Sequence, residues 1–355
     1  MLKLYKRGKQ CFPLYFSYKG VVKMGITKGD KENYLNLYIT LQNKEAIEAI
    51  ISERVENFKW EFYFKAKKID IFGQSESGKS IFIENQISQA DDRHLKSVVE
   101  IIEKAPNDSV VVWGATGFST DMMKVVSAII HMMDSKRVEF YAVEINENIL
   151  PILHKLDSMH VLHVMDNLRL LNDVDVYNDI FDKYVSPCHV DTEKKEYRFE
   201  RITDRERTNA YIIKELRNRI RFPTIFREKR TLDINKVRYG FGKTGIDVEL
   251  VFSNKRTESY VSCQFTSLTE DIYQEVARRK KVLERKMGKA VVCDYENKRI
   301  VTFVEHFEHK FDKIDQLVAI MEKFIFYLCN YTFYFGTAIM KQMWDRHAEG
   351  ILELT

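Results

Sequence analysis

The chain has 355 residues, 45% hydrophobic and 30% charged, the profile of a folded protein with room for two or three domains. A formal net charge of +4 gives no global basicity pointing to nucleic acid, so any such signal must be local. Five scattered cysteines without a C-x-x-C pair argue against a zinc ribbon or a disulfide framework and for a reducing compartment. The opening Met-Leu-Lys-Leu-Tyr-Lys-Arg has no apolar signal core, and the most membrane-like run, 324–335, is too short to span a bilayer. A soluble, cytoplasmic protein with no membrane partner is expected.

Residues 10–41 read as short aromatic and β-branched strands, "CFPLYFSY", "GVVKMGI" and "YLNLYITL". The period then becomes helical: in "NKEAIEAIISERVENF", Ile47, Ile50, Ile51 and Val55 share a face, with Asn43 placed to cap. Three strands follow in "KWEFYFKA", "KIDIF" and "SIFIENQ". A helix over 91–105 carries Leu95, Val98, Val99 and Ile102 on its apolar stripe, and Pro106 ends it. "SVVVWGA" (109–115) suits a buried strand, 119–134 a helix and "VEFYAVEI" (138–145) another strand. This order predicts one mixed sheet with helices on it. Residues 146–200 give no clear pattern. Over 201–243 there are thirteen Lys or Arg against five acids. A second α+β unit follows, with strands at "GIDVELVF", "YVSCQF", "AVVCDY" and "RIVTFVEH", a charged helix over 269–287 and a long helix, or two, over 312–346.

One stretch, Gly73-Gln-Ser-Glu-Ser-Gly-Lys-Ser80, matches the phosphate-loop pattern G-x-x-x-x-G-K-[ST]. A phosphate loop needs a helix after it, so that backbone N–H groups face the phosphates. Residues 80–86 are β-branched and aromatic and favour a strand instead. A nucleotide hydrolase also needs an acid at the end of a later strand; "SVVVWGA" offers none, and "VEFYAVEI" offers Glu144 only late. A β-hairpin accounts for more of these residues. A turn centred on Ser77 sets Asp70 opposite Glu84, with Cβ atoms about 5 Å apart, and a pairing shifted by one step on both strands keeps the two acids on one face as diagonal neighbours. Two carboxylates that close repel unless a cation lies between them, and magnesium takes oxygen ligands from one or two carboxylates.

Asp70 followed by Glu84-x-Gln86 resembles the PD-(D/E)XK nuclease superfamily, in its variant with glutamine in place of the motif lysine. The ordered string "IDIF…IFIENQ…DDRHL…VVVWGA…FYAVEI" resembles, more narrowly, a prokaryotic family with an "IENQ" nuclease core in front of a separate C-terminal domain. The similarity covers 43 to about 146 and, more faintly, 236–310. Asp91, His94 and Leu95 match that family's second block, whereas Asp92 and Arg93 do not, and Ile101 stands where the family often has a tyrosine.

The resemblance implies an α/β, restriction-endonuclease-like mixed sheet flanked by helices, plus a C-terminal α+β domain. It implies a DNA endonuclease of restriction or phage defence that uses Mg²⁺ or Mn²⁺, with a homodimer as the assembly. Asp70, Glu84 and the backbone carbonyl of Asn85 would hold the metal, and Gln86 would orient the attacking water through its amide. A helix acid often completes such sites, and Glu53 or Glu48 is expected there, with His94 a possible accessory. Arg217, Arg219, Arg221, Arg227, Lys229 and Arg230 are candidate nucleic-acid contacts within the basic stretch. His154, His160 and His163 read as structural. The expected division is a β extension (1–42), a nuclease core (43–165), a basic helical connector (166–235) and the C-terminal domain (236–355). Two alternatives remain: a nuclease fold without catalysis that binds nucleic acid or protein, and a nucleotide-binding protein using Gly73–Ser80.

Overall fold

The structure is a computed structural model that describes residues 30–132, 136–186, 203–229, 232–254, 256–305, 307, 309–338 and 340–342. Helices α1 (Lys31–Gln42) and α2 (Glu45–Ile51) come first. Strands β1 (Lys59–Phe64), β2 (Lys67–Gln74) and β3 (Ser80–Asn85) follow as a meander, then α3 (Asp92–Lys104), β4 (Ser109–Ala115), α4 (Thr120–His131) and β5 (Val138–Ile145). Helices α5 (Leu150–Asp157) and α6 (Val161–Asn167) and strand β6 (Tyr177–Val185) complete a six-stranded sheet in sequential order. The β3–β4 and β4–β5 pairs are parallel and the other three antiparallel, so the sheet is mixed and flanked by helices, as expected.

The physical reasons are local. Every residue of β4 is buried, which suits a central strand between two parallel neighbours. Asp91 accepts a hydrogen bond from the His94 N–H and so caps α3; Ser119 does the same for α4 through the Met122 N–H. Ile101, Ile102, Val126 and Ile130 of these helices pack one sheet face with Phe82, Val111 and Phe140. On the other face, Leu35 and Ile39 of α1, Ile47 of α2, Leu153 of α5 and Val164 of α6 pack with Ile83, Val112 and Val143.

Two sequence expectations change here. Residues 34–41, expected as the strand "YLNLYITL", lie within α1: Leu35, Tyr38 and Ile39 recur at helical spacing and all three are buried. The strands expected over 10–29 lie outside the described residues. Residues 146–200, unread from sequence, supply α5, α6 and β6. Both α1 and β6 belong to the layers of this sheet, although they lie outside 43–165.

Helix α7 (Asp204–Arg219) opens on a capping box between Thr203 and Glu206. Strands β7 (Val237–Gly240), β8 (Ile246–Val251), β9 (Ser259–Phe265), β10 (Val292–Asp294) and β11 (Arg299–Val304) form a second, antiparallel sheet ordered β10-β11-β9-β8-β7. Helices α8 (Glu270–Arg278), α9 (Lys280–Met287) and α10 (Lys310–Tyr334) contribute to its core. The single helix expected over 269–287 is thus two, and it ends at Gly288, which takes the left-handed conformation at φ 67°. His160 plays a structural part: its imidazole meets Asn330 Oδ1 at 2.8 Å and leans on Tyr334, tying α6 to α10. No helix among the described residues is long and apolar enough to cross a membrane.

Candidate active site

The β2–β3 register decides between the two machines the sequence allows. Ile71 pairs with Ile83, Phe72 with Phe82 and Gly73 with Ile81, the register of a turn centred on Ser77. Gly73–Ser80 therefore spans the end of β2, the hairpin turn and the start of β3, with no helix N-terminus to meet a phosphate. Lys79 binds carboxylates instead, with Nζ 2.5 Å from Glu53 Oε1 and 2.9 Å from Glu139 Oε1. The nucleotide-binding alternative is overturned.

One step beyond Ile71–Ile83, the same register brings Asp70 to Glu84. The Asn85 N–H donates to Asp70 Oδ2 at 3.1 Å, so the first acid is bound to the backbone that follows the second. Asn36 of α1 adds a side-chain hydrogen bond to Asp70. Ser97 of α3 donates to Glu84 Oε1 at 2.9 Å, while Glu84 Oε2 is buried with no hydrogen-bond partner. Burial raises the Asp70 pKa above the ordinary carboxylate range against the Asn85 hydrogen bond and Lys68, which lower it. Burial raises Glu84 as well, and the Asp70 charge beside it raises it further. Both acids thus meet the cost of like charges enclosed together.

The surrounding polar groups are fixed. Asn85 is fully buried: its Nδ2 donates to Asn36 Oδ1 at 2.8 Å, and its Oδ1 accepts from the Tyr177 hydroxyl at 2.9 Å. Gly114 is required opposite it, because a Cβ there would stand 2.3 Å from Asn85 Oδ1. Gln86 is buried; its Nε2 donates to Ser88 Oγ at 3.2 Å and to the Gln89 carbonyl at 2.5 Å, and its Oε1 accepts from Trp113 Nε1 at 3.1 Å. Both Gln86 donor hydrogens are engaged, which leaves one oxygen lone pair.

The sequence-expected accessory acids point elsewhere. Glu53 joins Lys79 and accepts from Ser77 Oγ at 2.6 Å; Glu48 accepts from the Val55 N–H at 2.7 Å. His94 Nδ1 lies 2.9 Å from Asp91 Oδ1 and its Nε2 3.2 Å from Arg93, so it serves the start of α3. The acid that sequence reasoning missed is Glu32 of α1. Burial, then the Asp70 charge, pushes it up to about 7, and it raises Glu84 in turn. Glu32 and Asn36 are four residues apart, on one helix face. A helical reading of 31–42 would have exposed that pair, and the strand reading hid it.

The basic candidates divide. Arg217 donates to the carbonyls of Ile225 and Arg227, Arg219 pairs with Glu322 at 2.7 Å, and Arg221 Nε lies 3.6 Å from Asp166 Oδ1. These three hold the chain's own elements together. Arg227 Nε lies 3.0 Å from Glu61 Oε2, an ion pair without hydrogen-bond alignment, and Lys229 is half-buried. Arg230 lies outside the described residues. Among the described residues no group of three or more His, Cys, Asp or Glu side chains could hold a metal ion. The candidate donors are therefore two carboxylates, within the number magnesium takes from protein.

No family model matches this chain, and no curated protein matches it. Among solved structures it is similar to a repair endonuclease from Pyrococcus abyssi, with 17% identity over 27% of this chain and 42% of the other, at a TM-score of 0.22. It is also similar to a chain of the EndoMS–dsDNA2 complex, with 16% identity over 37% of this chain and 49% of the other, at a TM-score of 0.24. The chain spans less than half the length of either.

Proposed function

We propose that this chain is a metal-dependent endonuclease that hydrolyses DNA phosphodiester bonds, in the manner of the PD-(D/E)XK enzymes its hairpin resembles. The observation that carries the proposal is the enclosed Asp70–Glu84 pair, with Glu84 Oε2 left partnerless. An unpartnered carboxylate oxygen beside a second carboxylate is the donor chemistry that a hard divalent cation takes. Asp70, Glu84 and the Asn85 backbone carbonyl would hold Mg²⁺ or Mn²⁺. When bound, that ion would supply charge neutralisation and a lowered pKa for water.

The chain's own residues have separable roles in this proposal. Asn36 and the Asn85 N–H orient Asp70, and Ser97 orients Glu84. Glu32 is a third acid whose charge acts on the pair. Gln86 carries no charge and cannot replace a motif lysine; its remaining lone pair is what it can offer a water. Lys68 and Arg93 are cations near Asp70 and Glu32, suited to a phosphate oxygen. The unit from 236 onward would recognise substrate or mediate dimerisation, and a homodimer would let two sites cut both strands. A place in restriction or phage defence is carried by the sequence resemblance alone.

The test is incubation of plasmid DNA with Mg²⁺, Mn²⁺ or EDTA. Nicking or linearisation with either metal, absent in EDTA and in Asp70→Ala or Glu84→Ala, is the expected result; intact plasmid throughout contradicts it. The engaged Gln86 amide favours one second reading, a nuclease fold that only binds nucleic acid, for which plasmid stays whole while binding persists.

A further inference from the structure

A groove of about 740 Å³ lies between the edges of the two sheets, with Tyr63 of β1 and Arg238 of β7 among its lining residues. The segment around Glu228 ties those edges together. The Glu228 N–H donates to the Trp60 carbonyl at 2.9 Å, and Arg227 bridges Trp60 in parallel. Lys229 Nζ donates to the Arg238 carbonyl on the other side.

The charges lining this groove do not all balance. Lys236 Nζ is 2.7 Å from Glu249 Oε1, and Arg238 reaches Asp247 Oδ2 at 2.5 Å, so both are matched. Glu228 lies 3.9 Å from Arg217. Among the described residues, Lys229 forms no ion pair. Its ammonium stands 3.5 Å from the centre of the Tyr239 ring, and one of its three donors goes to the Arg238 carbonyl. Burial, with Arg227 and Arg217 acting in the same direction, pulls its pKa down to about 8 against the opposing charges of Asp247 and Glu228. A half-buried ammonium without an ion pair gains from an anion that reaches it.

The groove also connects to the acid pair. Arg227 pairs with Glu61, Glu61 with Lys68 at 3.0 Å, and Lys68 acts on Asp70. Alternating charges therefore run from Asp70 on β2 through Lys68 and Glu61 to Arg227, two residues before Lys229.

We infer that this groove seats the backbone of duplex DNA, with Lys229 contacting a phosphate other than the scissile one. The identity of the anion rests on the nuclease proposal; the need for an anion at Lys229 does not. The site is positional and carries no base readout, since a lysine on a phosphate orients the duplex without reading its sequence.

Binding of a labelled duplex by anisotropy, in the Glu84→Gln background with EDTA present, tests the inference. Lys229→Met should weaken binding about five- to tenfold and flatten the slope of log affinity against log salt by about one. Lys229→Arg should keep both, and Lys124→Gln on α4 should change neither. Affinity and slope unchanged in Lys229→Met overturn the inference. A second readout needs no variant: duplex DNA should protect Lys229 of the wild-type protein from acylation, read by mass spectrometry, and unprotected Lys229 overturns the inference equally. Plasmid cleavage is scored separately. Intact cleavage with Lys229-independent binding sinks the groove alone, and Lys229-dependent binding without cleavage sinks the nuclease proposal alone.

Discussion

The two ends of the β2–β3 hairpin carry the same kind of side chain in opposite circumstances. At the turn, Glu53 and Glu139 share Lys79, and Lys183 Nζ adds a contact 2.7 Å from Glu139 Oε2. Burial works against ionising both acids. Hydrogen bonds from Lys79, Ser77 and Ser75 nevertheless take Glu53 down to about 2, and those from Lys183 and Lys79 lower Glu139. At the open end, Asp70 and Glu84 have hydrogen-bond donors but no cation within ion-pair distance among the described residues, and both are raised. A carboxylate matched by lysine stabilises the fold. A carboxylate enclosed beside another costs stability, and under the proposed function the contrast within one hairpin separates acids that hold the fold from acids that would hold a metal.

Removing either acid at the open end should have the largest effect. Asp70→Ala and Glu84→Ala should each lower cleavage about a thousandfold or more, while Lys79→Met, at the other end, should leave the rate per folded molecule within about threefold. Glu32→Gln should follow, with a loss of about ten- to a hundredfold in activity or metal affinity and little change in stability. Stability measurements should reverse the order of the two ends. Lys79→Met strands Glu53 and leaves Glu139 to Lys183, and should cost about 2 kcal/mol by denaturant unfolding. Glu84→Gln relieves a like-charge contact and should stabilise the metal-free protein by about 1 kcal/mol.

The smallest effect is in pH dependence, where the two ends should have opposite signs. A raised carboxylate holds its proton longer in the folded state than in the unfolded one. Asp70 and Glu84 therefore make stability fall as pH rises from the ordinary carboxylate range towards neutrality. A lowered carboxylate does the reverse, so what Glu53 and Glu139 contribute is full above that range and lost as pH falls towards about 2. Unfolding midpoints from about pH 3 to about pH 9 should show Glu84→Gln flattening the neutral-side fall and Lys79→Met flattening the acid-side loss. A single effect shared by both variants would erase the distinction between the ends.

The acid pair was legible because strand alternation keeps Asp70 and Glu84 on one face in either of the two pairings the turn allows; the observed register is the one centred on Ser77. Helix α1 was not legible. Its tyrosines and leucines fit a strand as well as a buried helix, and only its neighbours on the sheet distinguish the two. Losing α1 also lost Glu32 and Asn36 from the site. Tyr177 and Ser97 were invisible for another reason: each meets the hairpin through tertiary packing, across 92 residues to Asn85 and 13 to Glu84. Composition alone does not sort the basic stretch, because three of its arginines bind the chain's own carbonyls and carboxylates, whereas Lys229 forms no ion pair among the described residues.

The central claim is that Asp70 and Glu84 are placed together to hold one divalent cation. Calorimetric titration of Mn²⁺ into the wild type, Asp70→Asn, Glu84→Gln and Lys79→Met tests it without depending on catalysis. Saturable binding in the wild type and in Lys79→Met, lost in both acid variants, is the predicted result. Equal binding in all four proteins, or none in the wild type, would contradict the account.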